Sequence, residues 1–114
     1  MSTTPRWVRV ASTADLDEDD VMEVSVDGLS LALYRSSGGF FATDGICTHE
    51  YARLCDGFVF DNMIECAKHQ GRFDLRSGKA KGAPAHVPLR TYPVRVAGTD
   101  LEIGLGGDAP APER

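Results

Sequence analysis

Cysteine is scarce in this chain: three residues in 114. So small and odd a number excludes a disulfide framework and fits a reducing compartment. Long apolar runs are missing too. No stretch approaches the length needed to span a membrane, and Met1 to Trp7 contains no apolar core of a secretion signal. A soluble, cytoplasmic protein is expected. Cations are outnumbered, with 12 Lys and Arg against 17 Asp and Glu and a net charge of −5. That balance argues against nucleic acid or an anionic membrane as the main partner. No segment carries a convincing helical period, and no nucleophile–base pair or phosphate-cradling glycine loop is present.

What is there is punctuated like an all-β protein. Val21 to Val26, the turn Asp27-Gly28 and Leu29 to Arg35 read as a hairpin, with alternation on Val24/Val26 and Leu29/Leu31/Leu33. Trp7 to Ala11 is a first strand, Asp15 to Asp20 an acidic loop, and Phe40 to Thr43 a short strand after a turn at Ser36 to Gly39. Further on, Phe58 to Phe60 and Met63 to Glu65 flank a turn at Asp61-Asn62. Phe73 to Leu75 leads into the turn Arg76 to Lys79, and Tyr92 to Ala97 pairs with Leu101 to Leu105 across Gly98-Thr99. Gly82-Ala83-Pro84-Ala85 is incompatible with a sheet interior. The total is eight to ten short strands, as in a β-sandwich or barrel. The length suits one domain, residues 1–105, followed by a Gly/Pro/Ala-rich tail at 106–114 with little to bury.

The chemistry concentrates in two short runs, Cys47-Thr48-His49 and Cys66-Ala67-Lys68-His69. Two thiols and two imidazoles in matched pairs make a metal ligand set. Each pair is expected in a loop, and two facing loops would enclose one centre. A Cys₂His₂ structural zinc site, making the chain a zinc-stabilised interaction module, is the rival reading. The one-residue gap of the first pair and the Gly71-x-Phe73-Asp74 sequence after the second fit it poorly. Cys55, six residues past His49, reads as a small packed residue rather than a ligand or a redox-sensing thiol. His86 reads as a surface histidine.

These residues resemble the Rieske iron–sulfur family, and within it the small soluble Rieske-type ferredoxins that serve ring-hydroxylating (aromatic) oxygenases. The resemblance runs from about Trp7 to Ile103. It implies a β-sandwich base with an inserted cluster-binding subdomain at about 45–84. It implies one Rieske [2Fe–2S] cluster, with Cys47 and Cys66 on the inner iron, His49 and His69 on the outer iron, and Pro84 shielding the sulfides. It further implies an electron carrier rather than an enzyme, a monomer by default. Such a carrier takes electrons from a flavin-containing NAD(P)H-dependent ferredoxin reductase and passes them to a terminal oxygenase. Docking would use the surface near His49 and His69, with Tyr51 and Pro84 beside them. The small Rieske subunit of an assimilatory nitrite reductase is the alternative. One spare histidine cannot supply the mononuclear iron site of a terminal oxygenase.

Two further expectations follow from that resemblance. High-potential relatives carry a loop-linking disulfide, whose positions here are Ala52 and Lys68. They also carry Ser and Tyr donors to sulfur, whose positions are Arg72 and Asp74. The expected potential therefore sits at the low end of the histidine-ligated range, on the order of −150 mV. Charge is also uneven. Residues 66–81 hold five basic side chains (Lys68, Arg72, Arg76, Lys79, Lys81) against the acids of residues 1–30, and this basic stretch is a candidate for steering a partner.

Overall fold

A computed structural model of the chain describes residues 6–37, 39–46, 53–66, 71–81 and 88–105. Ten strands run in order: β1 (Arg6–Ser12), β2 (Asp20–Val26), β3 (Leu29–Ser36), β4 (Gly39–Asp44), β5 (Phe58–Phe60), β6 (Met63–Glu65), β7 (Arg72–Asp74), β8 (Thr91–Tyr92), β9 (Val94–Ala97) and β10 (Asp100–Leu105). Among the described residues there is no α-helix, only 3-10 turns at Thr13–Asp15 and Leu54–Asp56. The chain is all-β, as expected.

The hairpins follow from turn chemistry. Asp27 and Gly28 both adopt positive φ (52° and 79°), as do Asp61 and Asn62 (50° and 60°). Two left-handed residues form the turn whose twist matches a two-residue hairpin, and Asp, Asn and Gly tolerate that region best. In the third two-residue hairpin turn, Gly98-Thr99, only Gly98 takes positive φ (66°), the first-position glycine that such a turn requires.

Three antiparallel sheets result, ordered β1-β10-β9, β2-β3-β4-β8 and β5-β6-β7. The first two face each other across one core containing Val24, Val26, Leu31, Leu33, Leu101 and Ile103. The third packs on the other side of β3, where Ala32 and Tyr34 join Leu54, Ile64, Cys66 and Phe73. Strand β3 is therefore buried on both faces, which explains its unbroken run Leu31-Ala32-Leu33-Tyr34. The alternation read from sequence identifies one of those faces, but Leu29 at its start is 45% exposed.

Three local expectations are corrected. The acidic stretch 15–20 closes a capped 3-10 turn, in which the Asp15 carboxylate accepts from the Ser12 amide (2.9 Å), and it ends inside β2. Leu75 belongs to the turn after β7, where its side chain is buried. Tyr92 to Ala97 is two strands in two sheets. Pro93 has no N–H to donate, and its carbonyl instead accepts from the Gly104 amide (2.9 Å), so the chain crosses between sheets there. The segments containing Pro84 and His86 and the tail at 106–114 lie outside the described residues.

Candidate metal centre

Of the four expected ligands, Cys66 is described; Cys47, His49 and His69 lie outside the described residues. Cys66 follows β6 directly, outside the strand. It is fully buried, and its amide donates to the Gly71 carbonyl at 2.8 Å. That bond continues the β6–β7 ladder one step past the Glu65↔Arg72 pair and closes the root of the loop that carries His69 in the sequence.

The loop containing Cys47 and His49 is closed in the same manner. Ile46 and Arg53 form a bridge, the Leu54 amide donates to the Gly45 carbonyl (2.9 Å), and the Gly45 amide donates to Ser30 of β3 (2.9 Å). Past Arg53 the chain lies hard against β6. A Cβ on Gly57 would come within 2.2 Å of the Glu65 carbonyl oxygen, so only glycine permits this approach. The Arg53 guanidinium reaches Glu23 of β2 at 2.7 Å, which pins the return of the loop to the base. Its second neighbour is the half-buried Cys55, at 3.4 Å from the sulfur.

A third root holds the segment containing Pro84. The Lys81 amide donates to Arg72, Ala80 bridges Phe73, and Leu89 donates to Gly78 (2.8 Å) on its return. Gly78 has φ 77°, and a Cβ there would sit 2.1 Å from the Leu89 oxygen. Leu54, Cys66 and Leu89 come one from each root, and all three are fully buried in the same cluster. Residues 35 positions apart in sequence thus share one packed floor. No spacing rule in the sequence signals this convergence.

Arg72 and Asp74, which the resemblance sets at positions bearing on the cluster, have other partners. The Arg72 Nε donates to Glu65 Oε1 at 3.0 Å, and its guanidinium lies 5.5 Å from the centre of the Phe60 ring. The Asp74 carboxylate caps its own turn, accepting from the amides of Arg76 (2.7 Å) and Ser77 (3.1 Å). On the base side, the Tyr92 hydroxyl donates to Asp44 Oδ1 at 2.6 Å, while the Asp44 amide donates to Arg90 (3.0 Å). Burial, reinforced by the Asp44 carboxylate, pushes the Tyr92 phenol well above its ordinary range.

The profile of the Rieske [2Fe-2S] domain family matches residues 6–93. The chain belongs to this family. It is 43% identical over 102 residues to the ferredoxin component of a naphthalene 1,2-dioxygenase system from Pseudomonas aeruginosa, covering 90% of this chain and 98% of that protein. Among solved structures it resembles a Sphingomonas yanoikuyae B1 ferredoxin (TM-score 0.83, 33% identity, 89% of this chain and 100% of that one). It also resembles a chain in a complex of reduced oxygenase and oxidised ferredoxin of carbazole 1,9a-dioxygenase (TM-score 0.83, 30% identity, 90% and 95%). A putative small subunit of NADH-dependent nitrite reductase from Mycobacterium tuberculosis shares the fold (TM-score 0.82, 91% and 98%) at 21% identity.

Membership of the Rieske family implies one [2Fe–2S] cluster, and the donor set suits it. A buried thiol at a closed loop root can meet an iron without water access, and two thiols with two imidazoles are the Rieske complement. The related ferredoxin components are electron carriers rather than catalysts. Among the described residues no helix is long and apolar enough to cross a membrane.

Proposed function

We propose that this protein carries single electrons from a flavin-containing NAD(P)H-dependent reductase to a terminal ring-hydroxylating oxygenase. Cys47 and Cys66 hold the inner iron and His49 and His69 the outer one. Residues 45–84 form the cluster-binding subdomain, and docking is transient, through the surface near His49 and His69. The carrier works as a cytoplasmic monomer. The observation that carries this reading is the burial of Cys66 on a floor shared by three closed loop roots, in a chain 43% identical to a dioxygenase ferredoxin component. A cluster ligated in this way supplies a reversible one-electron couple, at a potential raised by imidazole in place of two thiolates. The protein's own part is to fix the Cys66 thiol in an apolar floor and to exclude water from it.

The nitrite reductase alternative draws on a likeness of fold alone. The relatives nearer in sequence are dioxygenase ferredoxins, which favours the shuttle. The zinc module is disfavoured by the iron–sulfur family match.

Iron and acid-labile sulfide analysis with EPR of the dithionite-reduced protein tests the reading. Two irons and two sulfides per chain with a rhombic Rieske signal are expected. A colourless, EPR-silent protein with stoichiometric zinc would overturn it. Oxygenase turnover that persists without this protein in a reconstituted system would overturn the shuttle role.

A further inference from the structure

Among the described residues, strand β4 is paired along only part of its outer edge. β8 pairs with it only at Ala42↔Tyr92 and Thr43↔Thr91, and the Asp44 amide reaches Arg90. In an antiparallel ladder alternate residues turn their N–H and C=O to the same side. Asp44 faces β8, so Ala42 and Phe40 face it too. The residue that would continue the register opposite Phe40 is Val94, which has crossed at Pro93 and pairs with Ile103 instead. Among the described residues nothing takes the outward N–H and C=O of Phe40.

Beside that edge lies a half-open groove of about 340 Å³, walled by Phe40, Phe41, Leu75, Tyr92 and Pro93. Its one charged wall is Arg76. Arg76 is exposed, and its guanidinium has no acid partner among the described residues. Arg6, Arg9, Arg53, Arg72 and Arg95, by contrast, each pair with a carboxylate. Lys79, exposed on the same turn, adds positive charge to a protein whose net charge is −5.

We propose that this edge and groove form a docking site for an extended segment of a partner protein, one carrying an apolar side chain and a carboxylate two residues apart. The segment extends the sheet along the track that β8 leaves, exchanging backbone hydrogen bonds with Phe40. Two residues apart on a strand is one face, so the apolar side chain enters the groove while the carboxylate meets Arg76. An open edge, an apolar wall and an unpaired guanidinium select this partner chemistry together, where none would alone. The site goes beyond the electron-carrier reading and is measured without electron transfer.

The test uses the oxidised, ¹⁵N-labelled holoprotein titrated with a blocked peptide of sequence Val-Phe-Val-Asp-Val. Saturable shifts at Phe40, Phe41 and Tyr92 are expected, with slowed amide exchange at Phe40. R76Q should weaken binding about tenfold, and the peptide with Asn for Asp should be weakened alike. No saturable shift, shifts centred elsewhere, or binding indifferent to R76Q would overturn the proposal. So would concentration-dependent self-association through the same residues, which would make a second copy of the chain the occupant. None of these outcomes touches the EPR result that decides the carrier reading.

Discussion

The amide of Cys66 is held 2.8 Å from the carbonyl of Gly71, one ladder step beyond β6 and β7. The backbone that presents the thiol is therefore set by the sheet, and the sulfur is directed into a floor closed to water. Thiol chemistry at this position is separable from the fold. Cys66→Ser should abolish cluster incorporation, with iron and sulfide falling to background and the visible absorbance lost. The β-rich far-UV spectrum should remain, at a stability cost of about 1–3 kcal/mol for a hydroxyl buried without a full set of partners. Metal analysis and circular dichroism on one preparation check both halves.

Gly57 meets the backbone of Glu65, which immediately precedes that thiol. Any Cβ forces the 3-10 turn at Leu54–Asp56 off β6 and so moves the Ile46–Arg53 root. Gly57→Ala is expected to destabilise the protein by about 2 kcal/mol or more, while the same change at the open turn residue Gly28 strains only a left-handed φ of 79° and costs about 1 kcal/mol. Denaturant midpoints rank the two, and a larger loss at Gly28 would contradict this account.

The Rieske resemblance implies that Arg72 and Asp74 occupy the positions of sulfur hydrogen-bond donors in higher-potential members; here Arg72 is tied to Glu65 and Asp74 to its own turn. A centre short of such donors holds its extra electron less tightly. Spectroscopic redox titration should give a potential on the order of −150 mV. A value above zero would mean that donors from elsewhere in the chain compensate.

The Tyr92–Asp44 bond predicts alkaline behaviour. Burial and the adjacent carboxylate raise the phenol's pKa in the folded state. The unfolded chain releases this proton near pH 10 while the folded chain keeps it. The stabilisation is therefore complete below about pH 10 and is lost progressively above it. Tyr92→Phe should cost about 1 kcal/mol at neutral pH through the lost hydrogen bond. It should also decline less steeply between about pH 10 and 12 than the parent, and urea midpoints across that range measure the difference.

Much of this protein is legible residue by residue. Asp27-Gly28 and Asp61-Asn62 specify their hairpins because a two-residue turn depends only on the φ values its own residues tolerate. The pairs Cys47/His49 and Cys66/His69 raise the expectation of a metal centre, because that chemistry resides in side-chain types and their short spacing. Local rules misread Tyr92 to Ala97, where an apolar run spans Pro93 and divides between two sheets.

Tertiary structure alone decided the rest. The pairing of β1 with β10 joins strands more than eighty residues apart. Backbone hydrogen bonds are chemically alike in every strand, so such pairings are chosen by which faces can be buried together. The same holds for β3, whose second face becomes visible only when β5, β6 and β7 cover Ala32 and Tyr34. The meeting of Leu54, Cys66 and Leu89 in one buried cluster is likewise a property of packing, as is the edge of Phe40 that no described residue pairs once Val94 pairs with Ile103. The amino-acid sequence by itself determined the turns, and it raised the expectation of a metal centre, because both depend on near neighbours. The floor shared by Leu54, Cys66 and Leu89, and the edge at Phe40 that no described residue pairs, depend on shape complementarity between distant segments, which exists only once the chain has folded.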